Sequence, residues 1–166
     1  MRKIFSRGLL ALYFLVLIWL VLFKLKFNIS SVLNYQNRSL NLIPFGAPST
    51  VHGRIIYGEM ILNCLFFIPL GLLLNVNFKN VRNLSKVAFI LVFSLTVELI
   101  QYIFAIGATD ITDVITNTVG GFLGLKLYDL NNRYVHKERL DTVIMSVGMV
   151  LLALFIYIRV SHIVLR

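Results

Sequence analysis

The sequence predicts an all-α fold, a polytopic membrane helix bundle of about five transmembrane helices, and three observations carry that reading. Of 166 residues, 58% are hydrophobic and only 14% charged, against about 45–50% and about 25% in an ordinary soluble domain. The mean hydropathy is +0.85, more apolar surface than a core of this size can hide, since most residues of a small domain touch its surface. The apolar residues also fall in five continuous stretches of roughly membrane length. Barrel strands would alternate over about ten residues instead. Lipid therefore solvates much of the chain. The single cysteine, Cys64, excludes an intrachain disulfide and a cysteine metal cluster.

The first stretch, Gly8 to Phe23, carries no charge, and Ile4 to Leu25 is nearly as apolar. Arg2, Lys3 and Arg7 before it would suit a signal peptide. The exit Phe23-Lys24-Leu25-Lys26-Phe27, however, has no small-residue cleavage site, and this favours a retained helix. The second stretch, Ile55 to Leu74, contains Glu59, Asn63 and Pro69; the third, Val87 to Ile106, contains Ser94, Thr96, Glu98 and Gln101. The fourth, Asp110 to Tyr128, is the least hydrophobic, with Asp110, Asp113, Asn117, Gly120, Gly121 and Gly124. The fifth, Thr142 to Val164, is apolar up to Arg159. None repeats another. Residues 1–27 read as an N-terminal anchor helix, 28–128 as the central membrane domain, and 129–166 as a loop with a C-terminal transmembrane helix.

Three connections on one side of the bundle (the N-terminal tail, Asn75–Lys86 and Lys126–Asp141) hold ten Lys and Arg residues, against six on the other. The positive-inside rule then puts the N-terminus in the cytoplasm and the C-terminus outside. The net charge of +9 is accordingly read as basic loops facing anionic lipid, with membrane lipid as a partner and no nucleic acid.

Alternation of helix direction brings the start of the second span, the end of the third and the start of the fourth to one boundary. Glu59 and Asn63 lie four apart on one face; Glu98 and Gln101 lie three apart; Asp110, Asp113 and Asn117 form a single stripe. At 1.5 Å per residue, Asn63, Glu98, Gln101 and Asn117 fall roughly 7–12 Å below that surface. The amides suit interhelical hydrogen bonding as well as ligand binding, and Asp110 and Asp113 suit helix capping. Glu98 lies deeper than a cap, with no Lys or Arg in the neighbouring spans, and so calls for protonation, a cation or a ligand. Carboxylates near one surface could hold a hard divalent cation; no other cofactor is indicated. His52, His136 and His162 are scattered and give no zinc-type site. Asp110-Ile111-Thr112-Asp113 is similar to the aspartate-rich motifs of membrane prenyltransferases, which carry two where this chain has one. Gly120 and Gly124 form a small-xxx-small pair for close helix packing, and Pro69 is expected to kink the second helix.

Four pieces in order, Asn41-Leu42-Ile43-Pro44-Phe45, Asn63-Cys64-Leu65-Phe66-Phe67-Ile68-Pro69-Leu70-Gly71, Glu98-Leu99-Ile100-Gln101 and Asp110-Ile111-Thr112-Asp113-Val114-Ile115-Thr116-Asn117-Thr118-Val119-Gly120-Gly121, resemble the VanZ-like family of small bacterial membrane proteins. The resemblance covers residues 38–128. It carries over Asn41, Pro44, Phe45, Asn63, Pro69, Gly71, Glu98, Gln101, Asp110, Asp113, Asn117, Gly120 and Gly121. Ile106-Gly107-Ala108-Thr109 departs from it, lacking the basic residue expected before the Asp, for which Arg38 or Arg54 could substitute. The resemblance implies a role in the bacterial cell envelope and in tolerance of glycopeptides such as teicoplanin. From the residues and the resemblance together, the expected site is an outward-facing acidic and amide pocket between helices two, three and four. Its ligand would be a lipoglycopeptide or a lipid headgroup, with the long Lys24–Arg54 loop, which contains the apolar Leu42-Ile43-Pro44-Phe45 turn, as a partial lid. The alternatives are an enzyme acting on a lipid-linked envelope precursor through the carboxylates, and a transporter, which the lack of polar residues continuing across the bundle disfavours.

Overall fold

In the computed structural model, the described residues are 2–23, 39–45, 50–51, 54–55, 57–106 and 108–164. They form five long helices: α1 (Arg2–Phe23), α2 (Gly58–Asn77), α3 (Asn83–Phe104), α4 (Ile111–Asn131) and α5 (Lys137–Val164). Four strand fragments accompany them: β1 (Ser39–Asn41), β2 (Thr50–Val51), β3 (Arg54–Ile55) and β4 (Ala108–Asp110). Windows in α1, α2, α3 and α5 are long and apolar enough to cross a membrane. α4 is not among them, because its inner stripe is polar or small: Thr112, Asp113, Asn117, Gly120, Gly121 and Gly124 are all buried. Its 21 residues still reach about 31 Å at 1.5 Å each, the thickness of the hydrocarbon layer.

The helices alternate in direction as chain parity requires. Gln101 near the end of α3 meets the end of α1, whereas the last turn of α2 meets the first of α1 through Asn77 and Ser6. The apolar core runs along the axis through Leu17 of α1, Phe67 and Leu70 of α2, Ile90 of α3 and Leu125 of α4, all fully buried. Phe93 of α3 links α1 and α2 through tilted ring contacts with Phe14, centroids 4.5 Å apart, and Phe67, centroids 5.9 Å apart. α5 lies at the margin, touching α1 through Trp19 and Phe155 at 6.1 Å. Its outer residues, among them Val147, Val150, Leu154 and Tyr157, are exposed, as suits a surface wetted by lipid.

α2 and α4 form the closest and most extensive pair. A Cβ on Gly120 would lie 2.1 Å from the Cys64 carbonyl oxygen, and one on Gly124 would lie 2.1 Å from that of Ile68. Gly71 of α2 meets the same face, where a Cβ would lie 2.1 Å from the Gly121 oxygen. The small-xxx-small pair is thus a backbone-to-backbone contact, the means by which helices associate where lipid tails remove the hydrophobic drive. α2 continues through Pro69 to Asn77. Proline leaves the Leu65 carbonyl without its helical donor, and Tyr13 of α1 donates its hydroxyl to the next carbonyl, Phe66.

Two expectations need correction. The Asn75–Lys86 and Lys126–Asp141 segments are shorter loops than the hydropathy suggested, since α2 and α3 leave only residues 78–82 between them and α4 and α5 leave 132–136. Polar residues extend these helices because they pair with one another: Asn75 donates to Asp129 Oδ1 at 3.1 Å and Asn83 to Asp129 Oδ2 at 2.6 Å. The strands were not anticipated either. β1 pairs in parallel with β4, Asn41 opposite Asp110, and β2 pairs antiparallel with β3; neither segment shows the alternation that marks a strand.

Gly124→Val places three side-chain carbons where the Ile68 carbonyl sits, so α2 and α4 must move apart. The expected loss of stability is at least the 1–3 kcal/mol typical of an overpacked core. Thermal unfolding of the detergent-solubilised protein measures it, with Gly8→Ala as the control, since nothing lies within 4 Å of a Cβ there.

Candidate functional site

The polar site is assembled where α3 ends and α4 begins. α3 closes in a Schellman turn: Ala105 adopts the left-handed conformation (φ 53), the Ile106 N–H donates to the Gln101 carbonyl at 3.2 Å and the Ala105 N–H to that of Tyr102 at 3.3 Å. The reversal carries the chain into β4 and lays it back along the last turns of α3. There the Thr109 hydroxyl donates to the Glu98 carbonyl at 3.2 Å, and the Asp110 N–H donates to Glu98 Oε2 at 3.0 Å. Asp110 then caps α4, its Oδ1 accepting from the Thr112 N–H at 2.8 Å. An anionic side chain at this end complements the positive pole of the helix dipole. Asp113, also buried, adds a second carboxylate to the first turn.

β1 contributes the third wall. Asn41 Nδ2 donates to Asp110 Oδ2 at 3.1 Å, while Asn41 Oδ1 accepts from the Ile43 N–H at 3.1 Å, closing an Asx turn. The Phe45 N–H donates to Thr112 Oγ1 at 3.1 Å, which holds Phe45 in the left-handed region (φ 57). The turn is therefore anchored by its backbone and by Asn41, while its apolar side chains face outward: Leu42, Ile43 and Phe45 are 67%, 68% and 55% exposed. Non-helical backbone is tolerated at a membrane boundary when its polar groups are satisfied in this way.

Deeper in the bundle, Asn117 Nδ2 donates to Ser94 Oγ at 2.8 Å, joining α4 to α3. Gln101 Nε2 donates to the carbonyls of Val21 at 3.0 Å and Leu22 at 3.3 Å, tying α3 to the end of α1. The side-chain oxygens of Gln101 and Asn117 are buried with no hydrogen-bond partner among the described residues, so two acceptors remain in a medium where an unmet polar group is costly.

Of the expected residues, Glu98 and Asp110 meet directly, Asp113 is buried in the first turn of α4, and Gln101 and Asn117 are bonded elsewhere, to the end of α1 and to Ser94. Glu59 does not join them: it is exposed in the first turn of α2. Asn63 is partly buried one turn further on and makes no side-chain hydrogen bond to a described residue. Pro44 and Phe45 belong to the anchored turn, and Gly71, Gly120, Gly121 and Gly124 to the helix contact below. Ser94, Thr109 and Thr112 complete the network, although a lone hydroxyl in a span carries no sequence signal that would assign it a site role. Among the described residues no three His, Cys, Asp or Glu side chains converge as metal ligands. Glu98 is only 3% exposed, and it meets the backbone at the start of α4. Arg38 and the Arg54 side chain lie outside the described residues. Lys86 lies within α3, contrary to the expectation of no basic residue in the spans, but twelve residues from Glu98, or about 18 Å along the helix.

The opposite end of the bundle carries a second polar network that hydropathy had assigned to loops. Lys86 is buried and donates to Asn75 Oδ1, and Asn75 Nδ2 also donates to the Leu125 carbonyl at 3.1 Å. Asp141 of α5 accepts from the Tyr128 hydroxyl at 2.7 Å and from Lys79.

A small multi-pass helical membrane protein, with a carboxylate and amide cluster at one boundary and an anchored apolar turn above it, is the class these features define. Within that class the chain belongs to the VanZ/LLP1 family, whose model matches residues 10–132. It is 63% identical over 159 residues to Protein VanZ of Enterococcus faecium, an alignment covering 96% of this chain and 95% of that protein. No solved structure matches it.

Asn41→Ala removes the bond that ties the turn to Asp110 at the start of α4 and the bond that closes the turn on the Ile43 N–H. Amide hydrogen exchange at Ile43 and Phe45 should accelerate markedly, while the amides of α2 and of α4 beyond its first turn keep their wild-type protection.

Proposed function

We propose that the chain resides in the cytoplasmic membrane of a bacterium with its N-terminus inside, and that it lowers susceptibility to glycopeptides, above all lipidated ones such as teicoplanin. Similarity to Protein VanZ over nearly the whole chain supports this reading, and the asymmetry of basic residues supports the orientation. In that orientation the cluster of Glu98, Asp110 and Asp113 lies at the outer boundary, beneath the Leu42–Phe45 turn.

The observation that carries the proposal is this juxtaposition: an exposed apolar turn joined by Asn41 directly to the Asp110 carboxylate. An amphiphile approaching from outside would lay its acyl chain against Leu42, Ile43 and Phe45 and bring its polar part over the carboxylates. Exposed apolar patches on an otherwise satisfied turn mark contact with lipid or an apolar partner. Holding such a molecule at this boundary would reduce its access to targets further out. The amide nitrogens of Gln101 and Asn117, donating to the end of α1 and to Ser94, would then hold helices one, three and four together beneath the contact.

Teicoplanin susceptibility of cells expressing Glu98→Gln and Asp113→Asn forms is the test, with membrane protein level and thermal unfolding measured alongside. Both variants should lose protection, returning cells to the susceptibility of those lacking the protein, while level and unfolding temperature stay near wild type. Full protection by both variants removes the cluster from the mechanism.

A further inference from the structure

At the end of the bundle away from the carboxylate cluster, a groove of about 430 Å³ lies between α1, α2 and α3, within the usual size of small-ligand pockets, about 300–1,000 Å³. Its walls are apolar, formed chiefly by Leu10, Phe14, Leu70, Leu74 and Phe89, and Arg7 and Lys86 mark its polar end. The groove is open sideways, since Phe78, Val81 and Phe89 on its rim are exposed. Arg7 also lines a second hollow, of about 570 Å³, with Lys3, Asn77, Lys79, Glu138 and Asp141. An apolar slot and a polar hollow therefore meet at one arginine.

The charges in this region are unevenly committed. Lys79 is paired with Asp141, and Lys86 is buried against Asn75. Arg7 and Lys3 make no side-chain hydrogen bond or ion pair to a described residue, and both are exposed. An arginine with an aliphatic stem along an apolar groove and its guanidinium at the boundary suits a phosphate oxygen pair, which it can grip through two N–H donors.

We propose that this place binds an anionic phospholipid of the bilayer, one acyl chain lying in the groove between α1 and α3 and the headgroup phosphate held by Arg7, with Lys3 beside it and the positive field of Lys86 behind. The site uses residues far from the carboxylate cluster, so it stands or falls independently of the role proposed for that cluster. It also anchors α1, whose contacts with α2 and α3 leave this side open.

The test is native mass spectrometry of the full-length protein in mild detergent, supplied with phosphatidylglycerol and phosphatidylcholine of matched chains. The wild type should retain one phosphatidylglycerol in preference. Arg7→Gln should weaken that retention about fivefold, the effect of one basic residue near an anionic membrane surface, and Arg7→Lys should recover most of it. Ala11→Trp, which fills the groove beside Phe14, should lower retention of both lipids with the unfolding temperature unchanged. Equal retention of the two lipids by the wild type, or an unchanged preference in Arg7→Gln, overturns the proposal.

Discussion

The contact between α2 and α4 is the constraint on which the rest of the structure depends. Oil surrounds the bundle, so burying leucine against leucine yields little that lipid does not already offer; helices must instead approach closely enough for backbone packing and weak polar contacts to accumulate. Gly120 and Gly124 permit that approach by bringing α4 against the carbonyls of Cys64 and Ile68. Once α4 is drawn in, its polar stripe is removed from lipid. Asn117 then reaches Ser94, and Asp110 is placed beneath the last turns of α3. The polar stripe of the least apolar helix is thus covered by its neighbours.

Polar networks secure the bundle at both ends and solve the same problem differently. At the cluster end, side chains satisfy backbone: Glu98 accepts from the start of α4, Gln101 donates to the end of α1, and Asn41 reaches Asp110. These are places where a chain reversal exposes groups that no helix satisfies. At the other end, side chains mainly satisfy side chains, with Asp129 gathering Asn75 and Asn83, and Asp141 gathering Tyr128 and Lys79. Both arrangements leave apolar side chains to fill the axis of the bundle. At the cluster end the Leu42–Phe45 turn is tied to Asp110 and Thr112 by two hydrogen bonds.

Much of the site was legible in the residues. Asn63, Glu98, Gln101 and Asn117 could be placed at a similar depth, with Asp110 and Asp113 nearer the boundary, because helix direction alternates and rise per residue is constant, and both facts hold for any such bundle. Depth alone left open which neighbours Glu59 and Asn63 face, since a helix position says how far a residue lies from the boundary and not its rotation; Glu59 is exposed and Asn63 partly buried. The α2 backbone at Cys64 and Ile68 is what meets α4. Asn75 and Lys86 failed for a related reason: hydropathy treats each polar residue as a cost to be kept outside, whereas paired residues can lie within a helix at little penalty.

The sequence by itself determined the class of fold, the number and order of helices, their alternation, the glycine seam and the level at which the acids and amides gather, because all of these follow from local composition and periodicity. Only the tertiary structure decided the pairing of β1 with β4, the hold of Asn41 on Asp110 across 69 residues, the partner of Glu98 and the amphipathic hollow at Arg7. Each of these requires two distant segments to meet at a particular rotation, and the energy that selects the rotation comes from hydrogen bonds and close contacts that exist only after the helices have docked.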